Sequence, residues 1–143
     1  MTVTSEHTVR AFLAGLSQKD TAAALSVVSD DVQLTVHPLR ISQGDKTRVK
    51  WLLDEIVTAF PDLLITISTI TDVGRVAVAE FKLEGTQAAD FLGAINQEKH
   101  LDLDTAWRFT VDHDQIVGID AYWCQNQLYR RLAVKRQDRV AIV

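Results

Sequence analysis

The chain turns from mainly helical to alternating hydrophobic periods near Phe60-Pro61, and that change limits the folds open to it. Before it, apolar residues recur at helical spacing: Val9, Phe12, Leu13 and Leu16 form one stripe, and Leu52, Leu53, Ile56 and Phe60 form another. Such stripes bury one face of a helix against a core. Thr4 or Ser5 can cap the first helix, because a hydroxyl accepts from the free N–H groups of the first turn. Asp20 predicts a cap for a short second helix over "TAAALSVVS". A strand "VQLTVH" then runs to Pro38, which brings no ladder donor. Residues 39–45 read as loop, and a third helix runs from Lys46 to Phe60, where Pro61 ends it.

Beyond that point four runs alternate and are rich in β-branched and aromatic residues: "LLITISTI" (63–70), "RVAVAEFKLE" (75–84), "LDLDTAWRFTV" (101–111) and "QIVGIDAYWC" (115–124). "DHDQ" (112–115) turns the last two into a hairpin. Residues 85–100 read as a long loop with helical character at "TQAADFLGA". A last helix, "QNQLYRRLAV", packs on an edge, and the tail "KRQDRVAIV" reads either as a frayed end or as a short added strand. Helices followed by strands predict an α+β fold. The expected layout is a curved antiparallel or mixed sheet with three N-terminal helices over its concave face. It forms one domain over 1–143, with its core at about 5–133 and a tail from 134. A cone of this kind encloses a cavity suited to a small molecule.

Charge and cysteine content exclude several classes. The net charge is −4 and no basic patch is present, so nucleic acid is not an expected partner. No apolar run approaches the roughly 20 residues that span a bilayer, and "MTVTSEHTVR" lacks the basic start and apolar segment of a signal peptide. A cytoplasmic protein with no membrane partner is the expectation. Cys124 is the only cysteine, which rules out an internal disulfide and a cysteine-based zinc site. There is no H-E-x-x-H, no carboxylate–histidine cluster and no glycine-rich phosphate loop, so neither a metal nor a cofactor is expected.

The order of pieces carries a resemblance. Phe60-Pro61-Asp62-Leu63 follows the third helix, and a strand ends in Gly85-Thr86. Asp90-Phe91-Leu92-Gly93 lies in the long loop, His113-Asp114-Gln115-Ile116 forms a turn, and Leu128 to Leu132 lies in a short last helix. In this order and spacing the chain resembles the SnoaL-like branch of the NTF2-like, ketosteroid-isomerase-like superfamily over about residues 5–133. The fold hosts cyclases, isomerases, epoxide hydrolases, dehydratases and pure binding modules. For polyketide cyclases of the branch, the resemblance implies an aspartate base on the last strand and a polar partner on the strand before it. Those positions read Ala121 and Trp107 here, and a second frequent aspartate position reads Cys124. Epoxide hydrolases of this fold resemble the chain less closely; their Arg, Asp and Asp positions read Glu80, Lys82 and Ala121.

Alternation then assigns faces. With Ala121 inward, Val117, Ile119 and Trp123 follow. The inward set of the preceding strand is Leu103, Thr105, Trp107 and Phe109. For the strand before that it is Val76, Val78, Glu80, Lys82 and Glu84. Phe81, Leu83, Asp104, Arg108, Asp120 and Tyr122 face outward. Glu80 and Lys82 are then a buried charged pair, which needs a reason. They are either a base with its counter-ion or a structural ion pair near the strand's wet end. Asp120 is the fallback acid if a β-bulge turns it inward. Trp107 and Trp123 can stack on a flat or polyene ligand, or simply fill the core. His37 stands near the expected cavity mouth, and Phe60 near its wall; both are candidate ligand contacts. His7, His100 and His113 read as surface residues and Cys124 as packing. The expected function is a cyclase or isomerase acting on a hydrophobic, polyketide-like substrate without the family's aspartate. A non-catalytic ligand-binding module and an epoxide hydrolase are the alternatives. Exposed Phe81, Leu83 and Tyr122 predict a homodimer through the outer sheet face, as proteins resembling this fold often form.

Overall fold

Thr4 caps the first helix through its side chain, which accepts from His7 N, and α1 runs Ser5–Ser17. The fold is given by a computed structural model that describes residues 4–134. Asp20 caps α2 through Ala23 N, but α2 is only Thr21–Leu25. The β-branched pair Val27-Val28 leaves the helix, and β1 begins at Val28 and runs to Val36. His37–Leu39 form one 3₁₀ turn around Pro38. Residues 39–45, expected as loop, contain β2 (Ile41–Gly44), which pairs antiparallel with β1. Left-handed Arg40, φ 57°, makes the reversal that this pairing needs. Asp45 caps α3 (Lys46–Ala59) through Arg48 N.

The remaining strands are β3 (Leu64–Val73), β4 (Val76–Thr86), β5 (His100–Asp112) and β6 (Gln115–Trp123), and α4 follows (Gln125–Arg131). The six-stranded sheet has the order β2-β1-β6-β5-β4-β3. β1 and β6 are parallel and every other pair is antiparallel, so the sheet is mixed. β5 and β6 are joined by His113 and Asp114, both at positive φ, as a two-residue hairpin of the primed kind requires. The expected helix at 86–94 does not form. Instead Phe91 and Ala94 exchange backbone hydrogen bonds around Leu92 (φ 48°) and Gly93 (φ 89°), a tight turn that uses the glycine's freedom. α4 packs against β5. The tail from 135 lies outside the described residues.

α1 and α3 press their apolar stripes onto one face of the sheet. Val9, Phe12, Leu13 and Leu16 meet Leu52, Leu53 and Ile56 and the inward rows of β1, β4, β5 and β6 in one core. Burying a side chain of this size stabilises the fold by about 1.5–3 kcal/mol each.

Candidate functional site

Residues directly opposed in an antiparallel pair share a face. Trp107 stands opposite Ala79 on one side and Ala121 on the other, which puts all three in one inward row. Trp107 is 1% exposed, and both alanines are fully buried. The small neighbours leave room that the indole fills. Its ring lies 6.4, 5.6 and 6.2 Å, centroid to centroid, from Phe12, Phe81 and Phe109. Nε1 donates to Thr105 Oγ1 at 2.7 Å, and that hydroxyl donates to the Tyr122 carbonyl at 2.9 Å. Leu103 and Ile119 continue the same inward surface. Trp123 is partly buried at the end of β6, and its Nε1 donates to Gln125 Oε1 at 2.8 Å.

At the place where the resemblance puts a base, then, a methyl group faces a tryptophan. The buried polar residues among those described are Ser5, Thr8, Gln87 and Thr105. None of these side chains ionises near neutral pH. Among the described residues this interior supplies no carboxylate, histidine or lysine to take a proton from carbon.

The expected face of β4 is reversed. Ala77, Ala79, Phe81 and Leu83 are buried, while Val76, Val78, Glu80, Lys82 and Glu84 lie on the other side. The reason is solvation: the phase carrying three charged side chains goes to water and the phase carrying Phe81 and Leu83 goes to the core. Glu80 is exposed and accepts from Thr69 Oγ1 at 3.1 Å. Lys82 Nζ lies 3.1 Å from Asp102 Oδ1. That hydrogen bond, and then the charge of Asp102, raise the Lys82 pKa above its ordinary value. Glu80 and Lys82 therefore do not form an interior acid–base pair. The apolar outer patch expected from Phe81, Leu83 and Tyr122 does not form either, since Phe81 and Leu83 are only 3% exposed. In β6 the register slips between Thr110 and Val111, so Ile116 is buried in place of the expected Val117. This irregularity lies upstream of Asp120 and leaves that side chain outward.

Two candidates expected apart come together outside the cone. Parallel pairing aligns Thr35 with Asp120 and Val36 with Ala121, which carries His37 beside Tyr122. His37 Nε2 lies 3.1 Å from Asp120 Oδ1, and its ring stacks on Tyr122 at 4.1 Å and 10°. Arg108 Nη2 holds the other carboxylate oxygen of Asp120 at 3.1 Å. His37 is thus an outer-face residue and not a contact at the interior mouth. No local sequence signal announces this cluster, because it depends on β1 lying parallel to β6. Beside it a groove of about 580 Å3 runs over Ala106, between Glu80 and Tyr122, towards Asp104 and Cys124. Cys124 is exposed at the start of α4, not packed as expected.

The wide end of the cone is closed by the turn at 91–94 and by α4. Phe91, Ala94, Leu128 and Leu132 are buried there, and Phe60 meets Phe91 edge-on at 5.0 Å. Glu55 Oε1 accepts from Leu92 N at 3.0 Å and ties the turn to α3. Gln87 extends the inward row of β4 past Leu83 and Gly85 into this end. Its Nε2 donates to the Ala94 carbonyl at 3.0 Å, and its Oε1 is buried without a partner. Among the described residues no group of three or more histidine, cysteine or carboxylate side chains is placed to hold a metal ion.

A mixed sheet wrapped over α1 and α3, with a loop and a short helix across its open end, defines the class of NTF2-like α+β cones. The chain belongs to the SnoaL-like domain family, which matches residues 9–119. Solved structures share the fold. A proposed SnoaL-like polyketide cyclase from Jannaschia sp. CCS1 superposes with a TM-score of 0.79 at 13% identity, covering 95% of this chain and 98% of the other. A proposed polyketide cyclase from Pseudomonas putida KT2440 gives 0.75 at 21% identity, with 92% and 99% covered. An LEH-like epoxide hydrolase from M. tuberculosis gives 0.70 at 18% identity, with 90% and 89% covered. The comparison with curated proteins finds no match.

Proposed function

We propose that this SnoaL-like domain takes up a hydrophobic, polyketide-like small molecule between sheet and helices, and holds it without a side-chain base. One observation carries this reading: Ala121 and Trp107 occupy the two positions where the resemblance would place acid–base chemistry, and among the described residues the buried polar side chains are Ser5, Thr8, Gln87 and Thr105. The surroundings of Trp107 are aromatic and apolar, which suits stacking on a flat or polyene molecule. Entry is at the wide end, where the 91–94 turn must swing away from Phe60.

The second reading is a cyclase or isomerase. It is favoured by the two structural neighbours proposed to be polyketide cyclases. Lacking an interior base, such an enzyme would lower the barrier by holding a flexible chain in a ring-closing shape. The epoxide-hydrolase alternative loses support, because Glu80 and Lys82 face water and Ala121 is no acid. A homodimer through the outer sheet face stays part of the proposal, on the resemblance alone; sedimentation of wild type and Tyr122→Asp tests it.

The experiment is a thermal-shift screen of the purified chain against polycyclic, polyene and steroid-like compounds. A ligand at about 100 times its dissociation constant stabilises the native state by about 2.7 kcal/mol. Saturable shifts with one class, with the compound recovered unchanged, support the binding reading. Conversion to a cyclised or isomerised product supports the second. No shift with any class contradicts both.

A further inference from the structure

The ladder between β4 and β5 runs one step past Thr86, where Gln87 N donates to the Lys99 carbonyl at 2.9 Å. Residue 87 therefore keeps the phase of Leu83 and Gly85 and turns its side chain into the wide end of the cone. Gln87 is 1% exposed. The orientation of its amide is set by one bond: Nε2 donates to the Ala94 carbonyl at 3.0 Å, and the reversed amide would set two carbonyl oxygens against each other. Oε1 is thus directed away from Ala94, and it is the buried side-chain atom without a hydrogen-bond partner among the described residues. An unmet buried acceptor is destabilising, and a native fold seldom keeps one.

The rest of the interior narrows what can meet this oxygen. The Thr105 hydroxyl is engaged twice, by Trp107 Nε1 and by the Tyr122 carbonyl. The Ser5 hydroxyl donates to the Gly74 carbonyl at 2.6 Å, beyond the opposite end of β4. An ammonium group beside Gln87 would lack a counter-ion, since no carboxylate is buried among the described residues. A carboxylate, a ketone or an ether would bring an acceptor to an acceptor. A neutral hydroxyl group supplies the donor and no net charge.

Resting on the interior uptake proposed above, we propose that the molecule held there is a hydroxylated polycycle, a phenol or enol, whose O–H donates to Gln87 Oε1 while its rings extend towards Trp107. Gln87 is then the specificity-determining residue of the interior site. Its oxygen takes the ligand, and its nitrogen holds the 91–94 turn closed behind the ligand through the Ala94 carbonyl. The selection is sharp because a hydroxyl group leaves water at a cost that only a partner inside offsets.

The test is a titration of the full isotope-labelled chain with 2-naphthol, 2-methoxynaphthalene and 2-methylnaphthalene, followed by the NMR signals of the Trp107 indole N–H and the Gln87 side-chain amide. The three share one ring system, and only the naphthol carries a donor. With no partner for its hydroxyl, 2-naphthol would bind most weakly, as the least apolar of the three. The expected result is the reverse: 2-naphthol binds at least tenfold more tightly than either control and shifts both signals. Gln87→Met, which keeps the length and removes the acceptor, should weaken 2-naphthol at least fivefold and leave 2-methylnaphthalene within twofold. Equal or weaker binding of 2-naphthol, with the Trp107 signal responding to the controls, would mean that trapped water satisfies Gln87; it overturns the proposal and leaves interior uptake standing. Unchanged 2-naphthol affinity in Gln87→Met does the same. No response at Trp107 to any of the three removes interior uptake and the proposal together. The comparison on the wild-type chain decides whether or not Gln87→Met folds.

Discussion

Replacing Trp107 by alanine tests the packed interior most sharply. The indole is 1% exposed and touches Phe12, Phe81 and Phe109, while Ala79 and Ala121 flank it. Alanine neighbours cannot reach across the space it leaves, so the site collapses poorly. A buried Trp→Ala change costs about 3–5 kcal/mol. That is a large part of the roughly 5–15 kcal/mol by which a domain of this size is stable. The Thr105 hydroxyl keeps its bond to the Tyr122 carbonyl, so the lost indole N–H adds little. Urea unfolding followed by circular dichroism measures the loss. At about 2–4 °C per kcal/mol, the expected fall in Tm is on the order of 10 °C. Indole added at millimolar concentration should restore part of it by refilling the cavity. A loss under about 1 kcal/mol would refute the reasoning, since the ring would then not fill the core.

Other expectations follow from the same geometry. Glu80→Gln and Lys82→Gln, on the wet face of β4, should leave the urea midpoint close to that of wild type and the ligand-induced thermal shifts unaltered; a lost shift in either variant would return that residue to the site. A methyl group at Gly85 would sit 2.9 Å from Phe60 Cβ and 3.0 Å from Asp62 Oδ1, so Gly85→Ala should cost about 1–3 kcal/mol in urea unfolding; no cost would mean that Phe60 is free to move. The hydrogen bond from the Thr86 N–H, the largest cause, holds the Asp62 carboxyl below its ordinary 3.8. A depressed native value means that this contribution to stability is complete above the ordinary value and is lost as pH falls through the native one. The stability gap between wild type and Asp62→Ala should therefore narrow on acidification below pH ~4, and a gap that stays constant would contradict this.

How far the sequence reveals the structure depends on which kind of constraint is asked about. Caps at Thr4 and Asp20, the apolar stripes of α1 and α3, and the 112–115 hairpin are local signals, and the structure has each of them. The inward row of β5 follows from alternation, and the resemblance implies Trp107 opposite Ala121, as the register has them. β4 alternates as expected but in the opposite phase. Its own residues hold the answer, because Glu80, Lys82 and Glu84 share one face and Phe81 and Leu83 the other. β2 is not legible because it is a four-residue partner of β1 reached through the left-handed turn at Arg40, and the His37–Asp120–Arg108 cluster is not because it needs β1 to pair with β6, far along the chain. The 91–94 turn looked helical because "TQAAD" favours helix, yet Leu92-Gly93 adopts a left-handed turn that ties back to Glu55.

The measurement that bears most directly on the account is an intermolecular NOE experiment on the full chain with the polycyclic compound giving the largest thermal shift. The account predicts contacts from that compound to the Trp107 indole and the Ala121 methyl group, inside the cone. Contacts confined to Tyr122, Ala106 and His37 would place the ligand on the outer sheet face and contradict it.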